Sequence, residues 1–270
     1  MHLKKILLVD NDKLISEAIG DLLTEKGYQV TRAYDGLEAL ERLRGEVPDI
    51  LILDIVLPKL DGSRLCLYLR QDPKLREVPI IAFSGLAPQD IVQLPGLSAD
   101  AYVAKGPLVI VAKNLLEAVK RMEEKGRSAG MEGATFGYEG FRPRELVSEM
   151  LKEKRHSELL LRTLGVGIIE IDLQLRITFV NGAAAKVLGK REWTLVGSEL
   201  LASFHPRERE AVKEILRDLA ASDEPRSLER PLELRGRRVQ VVFHNIIESG
   251  RCSSFMLMLS RESADVAQPK

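Results

Sequence analysis

Apolar positions in the first part of the chain follow two alternating patterns. Short β-rich runs occur at Ile6 to Val9, Tyr28 to Ala33, Ile50 to Leu53, Ile80 to Phe83 and Ala101 to Ala104, and they read as strands buried on both faces. Between the first two, Leu14, Ile15, Ala18, Ile19, Leu22 and Leu23 form a stripe at helical spacing, closed by Gly27. Leu37, Leu40 and Leu43 mark a second helix, Leu65 and Leu69 a third, and Leu115, Leu116, Val119 and Met122 a last one. Pro88 and Pro95 bracket only Gln89 to Leu94, so the fourth helix is expected to be short or broken. Five such βα units predict an α/β domain over residues 1–125 with a doubly wound, five-stranded parallel sheet.

The pattern then changes. Gly126, Gly130, Gly133, Gly137 and Gly140 punctuate a stretch without periodicity, expected to be a flexible linker over 126–142. From Pro143, a good first-turn residue, a linker helix is predicted over 143–164, with Leu146, Met150, Leu160 and Leu164 near a 3.5-residue period. Glu153 and Ser157 interrupt that seam, so a dimeric coiled coil and a helix packed on the next domain both fit. Strands at Val166 to Asp172 and Arg176 to Val180 come next, followed by a helix capped by Asn181 and running through Leu188. Ala211, Val212, Ile215, Leu216 and Leu219 mark another helix. Strands near Ser227 to Leu234, Arg238 to Ile247 and Ser253 to Leu259, with turns at Arg235-Gly236 and Ser249-Gly250, complete an α+β domain over 165–262 with a five-stranded antiparallel sheet, leaving a tail at 263–270.

Charge narrows the partners. Lys and Arg together number 40, equal to Asp and Glu, so no global field favours nucleic acid or an anionic membrane. Cys66 and Cys252 lack ligand-like spacing and read as core fillers in a reducing compartment. The first apolar strand is too short, and too acidic at its end, for a signal peptide, and no apolar run reaches the ~20 residues that span a bilayer. A soluble, cytoplasmic protein is expected.

The candidate chemistry lies at the carboxyl ends of the predicted strands, where ligands bind in parallel α/β sheets. Asp10 and Asn11 end the first strand, Asp54 the third, Ser84 the fourth and Lys105 the fifth. A carboxylate such as Asp54 at the mouth of a buried strand is costly unless paired, metal-bound or reactive. Neighbouring strands ~4.8 Å apart let these side chains meet around one hydrated cation and one phosphoryl group.

On Val9-Asp10-Asn11-Asp12, Leu53-Asp54-Ile55-Val56-Leu57-Pro58 with Asp61-Gly62, Phe83-Ser84-Gly85 and Tyr102-Val103-Ala104-Lys105, residues 3 to 125 resemble the receiver domain of bacterial response regulators. The resemblance implies phosphoryl transfer to Asp54 from the phosphohistidine of a histidine kinase or phosphotransfer protein. It also implies Mg²⁺ held by Asp10, Asp54 and the Val56 carbonyl. Lys105 would pair with Asp54 and then with the phosphoryl oxygens, while Ser84 and Tyr102 would form a two-state switch. Three features depart from the family pattern, one being Pro95 in the fourth-helix region, which implies an unusual output face. Asn11, a neutral and weaker metal ligand, stands where the family usually has a second acid, and Lys105-Gly106-Pro107 replaces its Lys-Pro pair. Asp12 is expected to cap the following helix.

Gly165 to Asp172, Arg176 to Ala185 and Leu188-Gly189 are similar to the opening of a PAS sensory domain, which implies a fold but no particular ligand. His205, in Phe204-His205-Pro206, reads as a helix start with a solvent-facing imidazole, and a lone histidine is not a haem site. Cys252 falls outside the helical half that a flavin-reactive cysteine would occupy. Trp193 reads as a packing or interface residue, and His244 lies in a strand whose alternation leaves its facing open.

Together these features predict a two-component phosphorelay protein that signals through protein contacts, with no output enzyme or DNA-binding motif on the same chain. A homodimer through the linker helix or the PAS-like domain stays open. A phosphorylation-independent scaffold is the alternative, kept in view by Asn11. A kinase fragment using His156, in His156-Ser157-Glu158-Leu159, is the enzymatic alternative and lacks a visible nucleotide-binding segment.

Overall fold

The structure is a computed structural model that describes residues 4–86, 94, 96–125, 134–138, 159–161 and 163–261. It divides into two compact units, Met1–Lys154 and Arg155–Lys270.

In the first unit the chain runs β1 (Lys5–Val9), α1 (Lys13–Glu25), β2 (Gln29–Ala33), α2 (Gly36–Gly45), β3 (Ile50–Asp54), α3 (Gly62–Gln71), β4 (Ile80–Ser84), β5 (Ala101–Ala104), α4 (Leu108–Lys125) and β6 (Ala134–Phe136). The sheet is parallel in the order β2-β1-β3-β4-β5-β6. Alternate strand residues Ile6, Leu8, Ile50, Ile52, Ile81, Phe83 and Val103 point to one face, where they pack with Ile19 and Leu23 of α1 and Val111, Leu115 and Val119 of α4. The intervening Leu7, Val9, Leu51 and Leu53 are also buried, and α2 lies against β1. Burial on both faces explains why these strands read as apolar runs.

The five-strand expectation needs a correction, because the sheet has six strands. Its extra strand falls within the stretch expected to be a linker. Three residues among glycines show no periodicity, and Phe136 is held by burial in the core between β5 and α4. The predicted fourth helix lies mostly outside the described residues, as do most of the linker helix and His156, Ser157 and Glu158 of the His156 motif.

The second unit contains β7 (Gly167–Asp172), β8 (Ile177–Val180), α5 (Gly182–Leu188), α6 (Glu192–Leu195), a 3₁₀ turn (Leu200–Ser203), α7 (Pro206–Ala220), β9 (Ser227–Leu234), β10 (Arg237–Glu248) and β11 (Arg251–Arg261). Its five-stranded sheet has the order β8-β7-β11-β10-β9, with every pairing antiparallel. Ile169, Ile171, Val239, Val241, Phe243, Phe255, Leu257 and Leu259 are its buried apolar positions at alternate places along β7, β10 and β11. That alternation settles His244, which is half-buried on the opposite side of β10 from Val241 and Phe243. Among the described residues no helix is long and apolar enough to cross a membrane.

Candidate functional site

Sheet order creates the site. Because β1 lies between β2 and β3, the connections leaving β1 and β3 diverge, opening a crevice at the carboxyl ends of these strands. Val9 is in register with Leu53, so Asp10 and Asp54 emerge side by side. Asp54 is in register with Phe83, and Ser84 with Ala104, which brings Ser84 and Lys105 to the same end.

Local hydrogen bonds fix the two acids. Asp10 Oδ1 accepts from the Asp12 amide at 2.9 Å, and Asp12 in turn caps α1 by accepting from Leu14 and Ile15. Asp54 Oδ1 accepts from the Val56 amide at 3.1 Å. Asp61 caps α3 by accepting from the Arg64 amide, and Gly62 brings this helix start against the end of β3. A Cβ at Gly62 would lie 2.2 Å from the Asp54 carbonyl oxygen, so only glycine permits this approach.

Lys105 joins the site together. Its Nζ lies 2.7 Å from Asp10 Oδ2 and 2.7 Å from Asp54 Oδ2, and 4.9 Å from the centre of the Phe83 ring. Asp10 is 0% exposed and Asp54 4%, so two carboxylates share one ammonium away from bulk water. Burial therefore pushes the Asp54 carboxyl up to about 6. Lys105 opposes that rise, and Asp10 adds to it. Ser84 is fully buried, and its Oγ accepts from the Leu86 amide at 3.1 Å, leaving its proton to donate. Tyr102 is in the inward position, 8% exposed, and burial raises its phenol.

Asn11 and Val56 are exposed on either side of the acids. Among the described residues no three of His, Cys, Asp and Glu gather as a metal site, consistent with Asn11 taking the place of an acid. Two buried carboxylates sharing one cation retain a net negative charge. That hard-oxygen donor set suits Mg²⁺, which commonly takes one or two carboxylates and fills its remaining positions with water and substrate phosphate oxygens. The position of Phe83 beneath Lys105 was not expected from sequence, where strand alternation is the only signal for it.

Among the described residues the second unit brings together no comparable group. His205 is exposed and caps α7, its Nδ1 accepting from the Arg207 amide at 3.3 Å. Cys252 is half-buried at the start of β11. A cleft of about 1060 Å³ is lined by Gly167, Gly182, Lys186, Val187, Arg238 and Val239 among others, none of them His or Cys.

Comparison with known proteins follows the same division. The family model described as a response regulator receiver domain matches residues 6–120, and the model described as a PAS fold matches residues 155–248. The polar-differentiation response regulator DivK of Brucella anthropi is 32% identical over 103 residues, which cover 38% of this chain and 84% of that protein. A probable transcriptional regulator, ycf27, of Guillardia theta is 41% identical over 103 residues, covering 38% of this chain and 39% of that protein. Among solved structures, the response regulator TrrA from Thermotoga maritima in complex with Mg²⁺-BeF is 31% identical with a TM-score of 0.40, covering 44% of this chain and 99% of that one. The chain belongs to the response regulator receiver family of two-component signalling, with its receiver domain followed by a PAS fold.

Proposed function

We propose that Asp54 accepts a phosphoryl group from the phosphohistidine of a partner histidine kinase or phosphotransfer protein, and that the modified receiver signals through protein contacts. The observation that carries this reading is the convergence of Lys105 on two buried carboxylates, each 2.7 Å away. With its carboxyl at about 6, Asp54 is mostly ionised at neutral pH and holds a nucleophilic oxygen in a site that burial has made unfavourable for charge. An Asp54 oxygen forms a bond to phosphorus as the P–N bond of the donor breaks, its electron pair leaving on the imidazole nitrogen. The product is an acyl phosphate.

The other residues have separable tasks. Lys105 stabilises the ground-state carboxylate and is within reach of the incoming phosphoryl oxygens. Ser84 donates its free O–H to one of those oxygens, which draws the end of β4 inward, and Tyr102 repacks in response. Asp10, Asp54 and the Val56 carbonyl would hold Mg²⁺, with Asn11 a neutral neighbour. When bound, that ion supplies positive charge to the transferring group.

Intact mass after incubation with acetyl phosphate and Mg²⁺ tests the reading. A single phosphate adduct on the wild type, absent in Asp54→Ala, is the expected result. Folded wild-type protein that takes no adduct would make it a phosphorylation-independent scaffold instead.

A further inference from the structure

The receiver sheet continues beyond β5, and the added strand rests on the residues next to the phosphoacceptor site. β6 pairs in parallel with β5, Ala134 opposite Ala101, Thr135 opposite Tyr102 and Phe136 opposite Val103. Phe136 is buried in the same core cluster as Val103, Val111 and Leu115, and the Arg121 guanidinium lies 5.1 Å from the ring centre. Gly137 follows with φ +76 and a very close approach to α4. A Cβ there would lie 2.2 Å from Asn114 Nδ2 and 3.8 Å from the Ala104 Cβ. The Tyr138 hydroxyl oxygen is out of contact with solvent, and its phenol is raised first by burial and then by neighbouring Tyr102.

The opposite side of β5 faces the site. Ser84 is in register with Ala104, and the Lys105 amide donates to the Ser84 carbonyl at 2.8 Å. Residues Tyr102 to Ala104 therefore have Ala82 to Ser84 on one side and Thr135 to Gly137 on the other. An inward movement of Ser84 and Lys105 toward a phosphoryl group draws Ala104 with them. Gly137, already held against Asn114 and Ala104, has a short ladder and one aromatic anchor to keep it in place. Such a weakly attached segment is the kind of element that a local charge change can bias.

Resting on phosphorylation at Asp54, we propose that β6 with Gly137 and Tyr138 is an intramolecular output element, docked on β5 when Asp54 is bare and loosened when Asp54 carries a phosphoryl group. The chain beyond Tyr138 is the covalent route to the second unit, so the loosening passes the receiver's state in that direction. Coupling is reciprocal: whatever weakens β6 docking makes Asp54 easier to modify.

Hydrogen exchange on the full chain, with and without Mg²⁺ and beryllium fluoride, reads the element directly. Amides of residues 134–138 should exchange about tenfold faster in the treated wild type and be unchanged in Asp54→Ala, a shift typical of a local opening equilibrium. Protection of β1 and β3 in the same experiment reports that the sheet is folded. In a second arm, Gly137→Ala strains a left-handed residue, and acetyl phosphate should modify Asp54 about threefold to tenfold faster. Protein that takes the phosphate adduct while residues 134–138 stay equally protected, or a folded Gly137→Ala modified at the wild-type rate, would overturn the inference and leave the reading of Asp54 intact. Folded wild type that takes no adduct would overturn both.

Discussion

Both units bury polar side chains, but they use them differently. In the second unit Asn245 donates to the carbonyls of Leu219, Ser222 and Glu224 and accepts from the Arg226 amide, while Asn181 donates to Leu161 and Val166 and accepts from Ile168 and Ala184. These amides are neutral, and backbone groups engage both the nitrogen and the oxygen of each, so they stitch loops to strands. In the first unit Asp10 and Asp54 share one lysine, and burial, with Asp10 beside it, raises the carboxyl of Asp54 against the pull of Lys105. A buried polar group saturated by the backbone is architectural, whereas one held in an unfavourable protonation state is available for chemistry.

The largest test of this contrast is Asn245→Ala, which leaves several backbone groups unpaired and should cost the second unit about 3 to 4 kcal/mol. Denaturant unfolding would show it, with acetyl phosphate labelling of Asp54 unchanged. In the first unit the sign reverses. Because the Asp54 carboxyl sits at about 6, above its ordinary 3.8, folding penalises the ionised form. Wild-type stability should fall as pH rises from about 4 to about 6, and the penalty is fully present above that window. Asp54→Asn should therefore stabilise the first unit by about 2 to 3 kcal/mol at pH 8 and by almost nothing near pH 4. Denaturant midpoints at the two pH values would check it.

Asn11→Asp sharpens the electrostatic side by adding a third carboxylate. Mg²⁺ affinity, followed by calorimetry, should rise about tenfold, with unit-two stability unchanged. The smallest effect is expected at Thr178, whose buried hydroxyl lacks a hydrogen-bond partner among the described residues. Thr178→Val should raise the second unit's stability by up to about 1 kcal/mol, read as a higher thermal midpoint. No gain there would mean that water or another group satisfies that oxygen.

The acids were legible in the sequence because each terminates an apolar run, and strand spacing lets Asp10 and Asp54 meet once sheet order puts β1 beside β3. Asp12 and Asn181 were legible as caps because capping is local. The further role of Asn181, tying the Leu161 and Val166 carbonyls to α5, depends on chain paths that no local pattern encodes. β6 was hidden for the same reason: the burial of Phe136 and the open edge of β5 make a strand of residues whose own propensities suggest a linker. Lys105 was legible as a cation at a strand end, but its stacking over Phe83 depends on side-chain reach.

The short sixth strand also bears on how copies of this protein meet one another. An open sheet edge is a template onto which a foreign strand can add, and β6 occupies the edge of β5. What it offers instead is only three residues long, followed by Gly137 in a left-handed turn. This edge is a poor template for strand addition between chains. At this edge the backbone of β5 would open to strand addition only if β6 loosened, so a docked β6 keeps it closed.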